Sequence, residues 1–296
     1  MTDSLQALRL DVTHDTVQPE PLAITSDVMA NGKPILKIAP MDTIEARSAG
    51  THVGTLVRDW RLARRRSQLD LSMDVGMSAR HLSYVETGKS QPSREMLVRL
   101  ADTLEMPLRD RNALLVVAGF APIYRESQLT TPEMAPVRQA VEFILRHQEP
   151  YPAIVMNRYW DVLMLNDAAN RIFGKLKPGG PKHGNVMHQV FDPTDMRSVV
   201  SNWSEIAEDL IRHLHDEAAA APTDARLQQL LKEVLAYPGV PTQWRTRQLG
   251  TAPLPMITTV LRSEELELRF LSTLTTFGTT RDITIDELRI ESMFPV

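Results

Sequence analysis

Residues 67–89 read SQLDLSMDVGMSARHLSYVETGK, and this stretch predicts two short helices joined by a tight turn. Ser67 begins an S-x-x-D start signal, in which the hydroxyl accepts from a free amide of the first helical turn. Gly76 suits a turn that needs a positive φ, and Ser78 is a favourable N-cap for the second helix. Gly88 closes that helix as a C-cap residue. A helix, a turn containing glycine and a second helix form the helix-turn-helix arrangement.

The second of these helices carries a polar face that can read DNA in the major groove. Leu82 and Val85 define its buried stripe, so Arg80, Ser83 and Tyr84 point away from the core. An exposed arginine can donate two hydrogen bonds to a guanine edge, and serine can also reach bases. An ordinary solvated helix face is the alternative interpretation of the same pattern. The predicted DNA-contacting residues are Gln68, Ser78, Ala79, Arg80, His81, Ser83, Tyr84, Lys89, Ser90, Gln91 and Arg94.

Three further helices are predicted around this pair, which makes a core of five short helices. One covers residues 54–66, one begins at Pro92-Ser93, and one runs from Pro107 to Gly119. Each shows apolar residues at helical spacing. The residues predicted to point inward are Leu56, Trp60, Ala63, Met96, Leu97, Leu100, Leu104, Leu114, Leu115 and Ala118.

Composition limits the class of protein. The 296 residues are enough for about two domains, and 43% hydrophobic with 24% charged residues is typical of a globular chain. The absence of cysteine excludes disulfides and thiolate chemistry. The net charge is −4, yet residues 51–125 hold 12 Lys/Arg against 8 Asp/Glu. This asymmetry is compatible with a phosphate-binding module and equally with statistical scatter. No secretory signal is recognisable, so the expected location is the cytoplasm.

The pattern along the chain predicts a mobile arm at 1–50, a helical DNA-binding domain at 51–122, a linker at 123–135 and an α+β domain at 136–296. The arm contains a possible short strand at 34–38. The later strand candidates are 153–156, 161–165, 255–262, 267–275 and 288–291. The later helix candidates are 137–147, 167–173, 196–217 and 224–235.

The N-terminal half resembles the Xre/Cro/C1-type helix-turn-helix domains. The matching words are Ser67-Gln68, Leu71, Gly76-Met77-Ser78, Leu82-Ser83, Val85-Glu86-Thr87-Gly88-Lys89 and Pro92-Ser93. The longer string RHLSYVETGKSQPSREMLVRLADTLEMPLRDRNALLVVAGFAP resembles the MmyB-like regulators. The resemblance implies that an arginine of the first helix, here Arg61, pairs with Glu86. Such a pair has a structural role and does not contact bases.

The C-terminal half resembles the MmyB-like ligand-binding domain. The resemblance rests on IVMNRYWDVL (154–163), NDAA (166–169), FDP (191–193), Met196-Arg197, Trp203 and Trp244. It implies a PAS-like fold, in which helices on one side of an antiparallel sheet enclose a pocket for a fatty-acid-like ligand. The segment at 253–256 departs from the pattern, since many relatives have a His-Pro pair there. The candidate ligand-binding residues are Asn157, Tyr159, Trp160, Asn166, His188, Trp203, Trp244 and Arg247.

We therefore expect a non-enzymatic, dimeric transcription regulator that binds double-stranded DNA and a fatty-acid-like molecule, with no metal and no other cofactor. His213 and His215 point about 200° apart on a helix, which suits one metal poorly. Neither a phosphate-binding loop nor a nucleophile elbow is present. Two alternatives remain: a C-terminal half that only dimerises or binds a protein partner, and an enzyme with an accessory DNA-binding head.

Overall fold

The structure is a computed structural model that describes residues 29–30, 33–34, 52–246, 257–278 and 280–296. Two short strands, β1 (Met29–Ala30) and β2 (Lys33–Pro34), pair antiparallel. The remainder of the predicted arm at 1–50, including residues 35–38 of its strand candidate, lies outside the described residues.

Five helices build the N-terminal module, as predicted: α1 (Val53–Ala63), α2 (Gln68–Val75), α3 (Ala79–Glu86), α4 (Arg94–Thr103) and α5 (Leu108–Val117). The Ser67 and Ser78 hydroxyls accept from amides three residues further on, at 3.1 Å each. Gly76 has φ 73°, the left-handed conformation expected of the turn. Local capping therefore defines the start of both helices of the pair.

The core of this module centres on Trp60, Leu71 and Leu82, each at most 1% exposed. The prediction that Ala63 points inward is wrong, because α1 ends at this residue and its side chain is exposed. Val57 fills the buried face instead and is fully enclosed. The apolar inward face of α1 is therefore made by Val53, Leu56, Val57 and Trp60, and it ends before Ala63.

The C-terminal half combines six helices with a five-stranded sheet among the described residues. The helices are α6 (Ala135–His147), α7 (Asp167–Leu176), α8 (Val186–Phe191), α9 (Trp203–Ala220), α10 (Ala225–Leu235) and α11 (Ile283–Asp286). The strands are β3 (Ala153–Met156), β4 (Val162–Leu165), β5 (Thr258–Arg262), β6 (Glu267–Thr276) and β7 (Arg289–Pro295). Their spatial order is β4-β3-β7-β6-β5, with every neighbouring pair antiparallel. The chain is thus α+β, as predicted.

Helices cover both faces of this sheet, so the expectation of helices on one side is wrong. Ile154 and Phe270 belong to the larger apolar core that the helices between β4 and β5 share. Val155 points to the opposite face and packs with Val141 and Leu145 of α6. Successive side chains of a strand alternate between faces, and β3 is buried on both, which requires a second covering layer.

Two predicted elements differ from the structure by four or more residues at one end. The helix predicted at 196–217 is wrong as a single element, since a 3₁₀ turn at Met196–Val199 precedes α9. The break occurs because the Ser201 amide donates to the carbonyl of Val260 at 2.8 Å and joins this segment to edge strand β5. The strand predicted at 288–291 continues to Pro295, where it pairs with β6. None of the helices in the described ranges combines the length and apolar character needed to cross a bilayer.

Candidate functional site

Helix α3 presents a compact basic and aromatic surface. Leu82 and Val85 are fully buried beneath it, whereas Arg80 and Tyr84 are exposed. The Arg80 Nε donates to the Tyr84 hydroxyl at 3.0 Å. The Lys89 ammonium lies 5.9 Å from the centre of the Tyr84 ring. Residues predicted from sequence to contact DNA are thus brought together as one surface, in which the tyrosine orders two cations.

The other predicted DNA contacts surround this surface. Gln91 and Arg94 are exposed, and the side-chain amide of Gln91 donates to the Ala118 carbonyl at 3.4 Å. His81 approaches the Ser90 hydroxyl at 3.4 Å. Ala79, Ser83 and Ser90 are half-buried, and Ser78 is exposed at the helix start. They belong to α3, to its N-cap or to the segment that runs from its end to the first residue of α4.

A buried ion pair fixes α3 from behind. The Arg61 guanidinium donates through Nε and Nη2 to the two Glu86 carboxylate oxygens, at 2.6 and 2.9 Å. Gln68 donates to the same carboxylate at 2.7 Å, and Arg61 also donates to the Arg66 carbonyl at 2.9 Å. The hydrogen bond to Glu86 raises the pKa of Arg61. The structural pairing expected from the resemblance is confirmed, and the contact found for Gln68 also supports the helix pair.

Gly54 is a position whose role the sequence pattern did not reveal. A Cβ atom on this residue would lie 2.1 Å from the Val85 carbonyl oxygen and 2.7 Å from that of Glu86. Helix α1 therefore approaches the end of α3 more closely than any side chain permits. A glycine inside the first turn of a predicted helix, where it lowers helix propensity, was the only available signal.

Several basic residues of α1 and its C-terminal end serve structure. Arg64 donates to the Leu104 carbonyl at 3.0 Å and to the Ala220 carbonyl of the other domain at 3.3 Å. Arg66 pairs with Asp74. Arg61, Arg64 and Arg66 are thus engaged in contacts within the chain, whereas Arg58 and Arg65 are exposed and remain available to a phosphate backbone together with the cations of the α3 surface.

Most predicted polar anchors for a ligand make structural contacts in the second domain. Asn166 is 5% exposed, caps α7 by accepting from the Ala169 amide at 2.9 Å, and accepts from the Ala153 amide at 3.0 Å. His188 shares a hydrogen bond with the Tyr237 hydroxyl at 3.0 Å, and burial lowers its pKa. Asn157, Tyr159 and Trp160 lie in the turn between β3 and β4. Arg247 lies outside the described residues.

Two of the three predicted tryptophans, Trp203 and Trp244, belong to an aromatic cluster. Trp244 is 4% exposed and its ring centre lies 5.8 Å from that of Trp203. The Arg197 guanidinium stacks on the Trp203 ring at 3.5 Å, and the indole of Trp203 donates to the Val190 carbonyl at 2.8 Å. The pair at 213 and 215 diverges, since His215 approaches the Trp244 carbonyl at 2.7 Å while His213 turns to Asp209.

The comparisons with known proteins match both halves of the chain. Residues 52–114 match a family model described as a helix-turn-helix domain. Residues 137–296 match the model of the MmyB-like transcription regulator ligand binding domain. No curated protein showed significant sequence similarity to the chain. The second model alone covers more than half of the residues, and the chain therefore belongs to the MmyB-like transcription regulators, with a helix-turn-helix domain preceding the ligand-binding domain.

Proposed function

We propose that the protein is an Xre-type, sequence-specific transcription regulator that inserts helix α3 into the major groove of double-stranded DNA. One observation carries this proposal: Arg80, Tyr84 and Lys89 form a single exposed surface on a helix that Arg61 and Glu86 hold in place. Arginine suits a guanine edge, while lysine and tyrosine suit phosphates. We propose a binding role without catalysis, exercised in the cytoplasm, where bacterial chromosomal DNA lies.

We propose further that the second domain, a PAS-like fold, binds a small apolar, fatty-acid-like molecule, with no other cofactor. The sheet face that carries Ile154 and Phe270 is apolar, which is typical of ligand pockets. Ser272 and Glu291 stand at register positions of that same face. Burial raises the pKa of Glu291, and a hydrogen bond from the Ser272 hydroxyl opposes that rise. Such groups suit the polar end of a ligand.

We infer that the protein acts as a homodimer whose two copies of α3 read half-sites about 34 Å apart. A ligand can change DNA binding only if it binds one arrangement of the two DNA-binding modules better than another. The proposal therefore requires a coupling free energy between ligand binding and DNA binding, so that occupancy of the ligand site changes the affinity for the operator.

The DNA-binding proposal is tested on an operator obtained by selection from random duplexes. Arg80→Ala is expected to cost about 1–3 kcal/mol and to relax preference at one base step. Lys89→Ala is expected to weaken all sequences alike and to reduce the salt slope by about one. Lys175→Ala, an exposed lysine of α7, removes the same charge and is the matched control. Unchanged affinity and base preference in Arg80→Ala would contradict the assignment.

The ligand proposal is tested by native mass spectrometry and lipid extraction of the purified protein. DNA binding is then measured before and after stripping, with saturated fatty acids added back. A co-purified acyl compound whose removal changes operator affinity supports the proposal. The alternative outcome is a protein that carries no co-purified lipid and whose operator affinity does not change with any added fatty acid. That outcome supports instead a domain that dimerises or binds a protein partner.

A further inference from the structure

Buried charges join the DNA-binding module to the ligand-binding domain. Arg109, in the first turn of α5, donates to both carboxylate oxygens of Glu287 at 2.8 and 2.9 Å. It also donates to Glu126 at 3.0 Å. The neighbouring Asp110 is 3% exposed, and its carboxylate lies 3.5 Å from the Arg158 guanidinium. The two domains therefore meet through ionised side chains and not through an apolar surface alone.

Arg158 is the centre of this contact. Besides Asp110, its guanidinium lies 3.3 Å from Asp224 and 3.3 Å from Glu287, with 9% of its side chain exposed. Its three carboxylate partners come from α5, from the N-cap of α10 and from the residue after α11. A partly separated arrangement would keep Arg158 and Asp110 away from water but apart from each other, which is strongly unfavourable, whereas full separation exposes both to water. The contact therefore favours either a fully docked or a fully open arrangement.

The turn that holds Arg158 also reaches the helical layer of the ligand-binding domain. The Tyr159 hydroxyl donates to Asp224 at 3.1 Å. The Trp160 indole donates at 2.9 Å to Glu217 of α9, and Glu217 also pairs with Arg289 of β7. Three consecutive residues thus bind the DNA-binding module, the start of α10 and the end of α9.

The backbone of this turn is held in an unusual conformation. Trp160 has φ 66°, in the left-handed region that a bulky residue rarely occupies. Asn157 stabilises the conformation of this turn, because its side-chain oxygen accepts from the amides of Tyr159 and Asp161 at 2.9 and 3.0 Å. Strain of this kind persists only where surrounding contacts enforce it, and it is common in switch regions.

We propose that the turn Asn157–Asp161 is a relay through which movement of α9 reaches the DNA-binding module, in addition to the direct contact between Arg64 and the Ala220 carbonyl. Arg158 and Trp160 are its positioning residues: a displacement of Glu217 moves Trp160, and Arg158 then shifts or releases Asp110 on α5. The surface that Arg80, Tyr84 and Lys89 form on and beside α3 stays exposed in the docked arrangement. The relay therefore sets the orientation of that surface rather than covering it. The regulatory meaning of the relay rests on the proposed function, whereas the mechanical coupling does not.

The coupling is tested by hydrogen exchange on the full chain, with Glu217→Gln as the perturbation. This variant weakens the contacts to Trp160 and Arg289 without altering any residue of the DNA-binding module. We expect amides of α5 and of residues 123–127 to exchange about tenfold faster. Glu208→Gln, in the same helix, breaks only an i,i+4 pair with Arg212 and is expected to leave α5 unchanged. Faster exchange confined to α9 and the turn overturns the proposal.

Asp110→Asn provides the reciprocal measurement and keeps the size of the side chain. Because coupling between sites is mutual, loss of this charge should accelerate exchange in the turn and at the start of α10. Arg158→Lys, which retains one positive charge, should produce a smaller effect than Arg158→Gln. An Asp110→Asn protein in which the turn exchanges at the wild-type rate refutes the relay. These outcomes do not depend on any ligand, so a failure of the ligand proposal is distinguishable from a failure of the relay.

Discussion

Removal of the Glu86 carboxylate should detach α3 from the rest of its module. In the wild-type protein this carboxylate accepts two hydrogen bonds from Arg61 and one from Gln68. Arg61 is 7% exposed and Glu86 is 8% exposed. Glu86→Ala therefore leaves a guanidinium almost enclosed, with only the Arg66 carbonyl still accepting from it among the described contacts.

The magnitude follows from the burial of both partners. Exposed ion pairs contribute at most about 1 kcal/mol, but removal of one partner of a buried pair costs about 3–5 kcal/mol. The upper range applies here because the contact is bidentate and charge-assisted. Replacement of both partners, as in Arg61→Met with Glu86→Leu, should recover most of the loss, since no buried charge then lacks its partner.

The free energy of unfolding of this module is measured by hydrogen exchange of α1 and α3 amides in increasing urea. This probe reports the N-terminal module separately from the second domain. Asp74→Ala is the matched control, because it breaks the Arg66 pair, whose partners are 27% and 51% exposed. A loss in Glu86→Ala no larger than that in Asp74→Ala would refute the argument from burial.

Three further outcomes are expected. Gly54→Ala should destabilise the module by about 1–3 kcal/mol and weaken operator binding in a mobility-shift assay, because its Cβ would meet backbone at 2.1 Å. Gly174→Ala, a helical glycine with no atom within 4 Å of an added Cβ, should instead stabilise the ligand-binding domain by about 1 kcal/mol in urea titrations. Burial raises the pKa of Glu291, so the stability of the folded protein should fall as pH rises through that raised value. Glu291→Gln should remove this decline, as measured by urea unfolding over a series of pH values.

The helix pair was predictable because its determinants are local. Ser67, Gly76 and Ser78 act through hydrogen bonds and φ angles within three residues of themselves. The apolar spacing of Leu82 and Val85 places the polar face of α3 without reference to any other part of the chain. The Arg61–Glu86 pair spans 25 residues, and it was reached only through resemblance to a family.

Prediction failed where partners distant in sequence decide the structure. The helix expected at 196–217 has good helical spacing, yet Ser201 and Asn202 bond to strand β5 and interrupt it. Asn166 was predicted as a ligand anchor, because an amide side chain can hydrogen-bond a ligand carboxylate. Its amide instead satisfies backbone groups of three segments. A sequence shows that such a group needs partners, and only the fold shows which partners it has.

Arg158 is a further residue whose role depends on partners distant in sequence. A buried arginine in a ligand-binding domain could hold the carboxylate of a ligand. The structure surrounds it instead with carboxylates of this chain, one of which belongs to the DNA-binding module. A cation already shared by three acids has little capacity left for an anionic ligand. The polar end of any ligand is therefore better sought at Ser272 and Glu291 on the sheet, while the arginine serves the contact between domains.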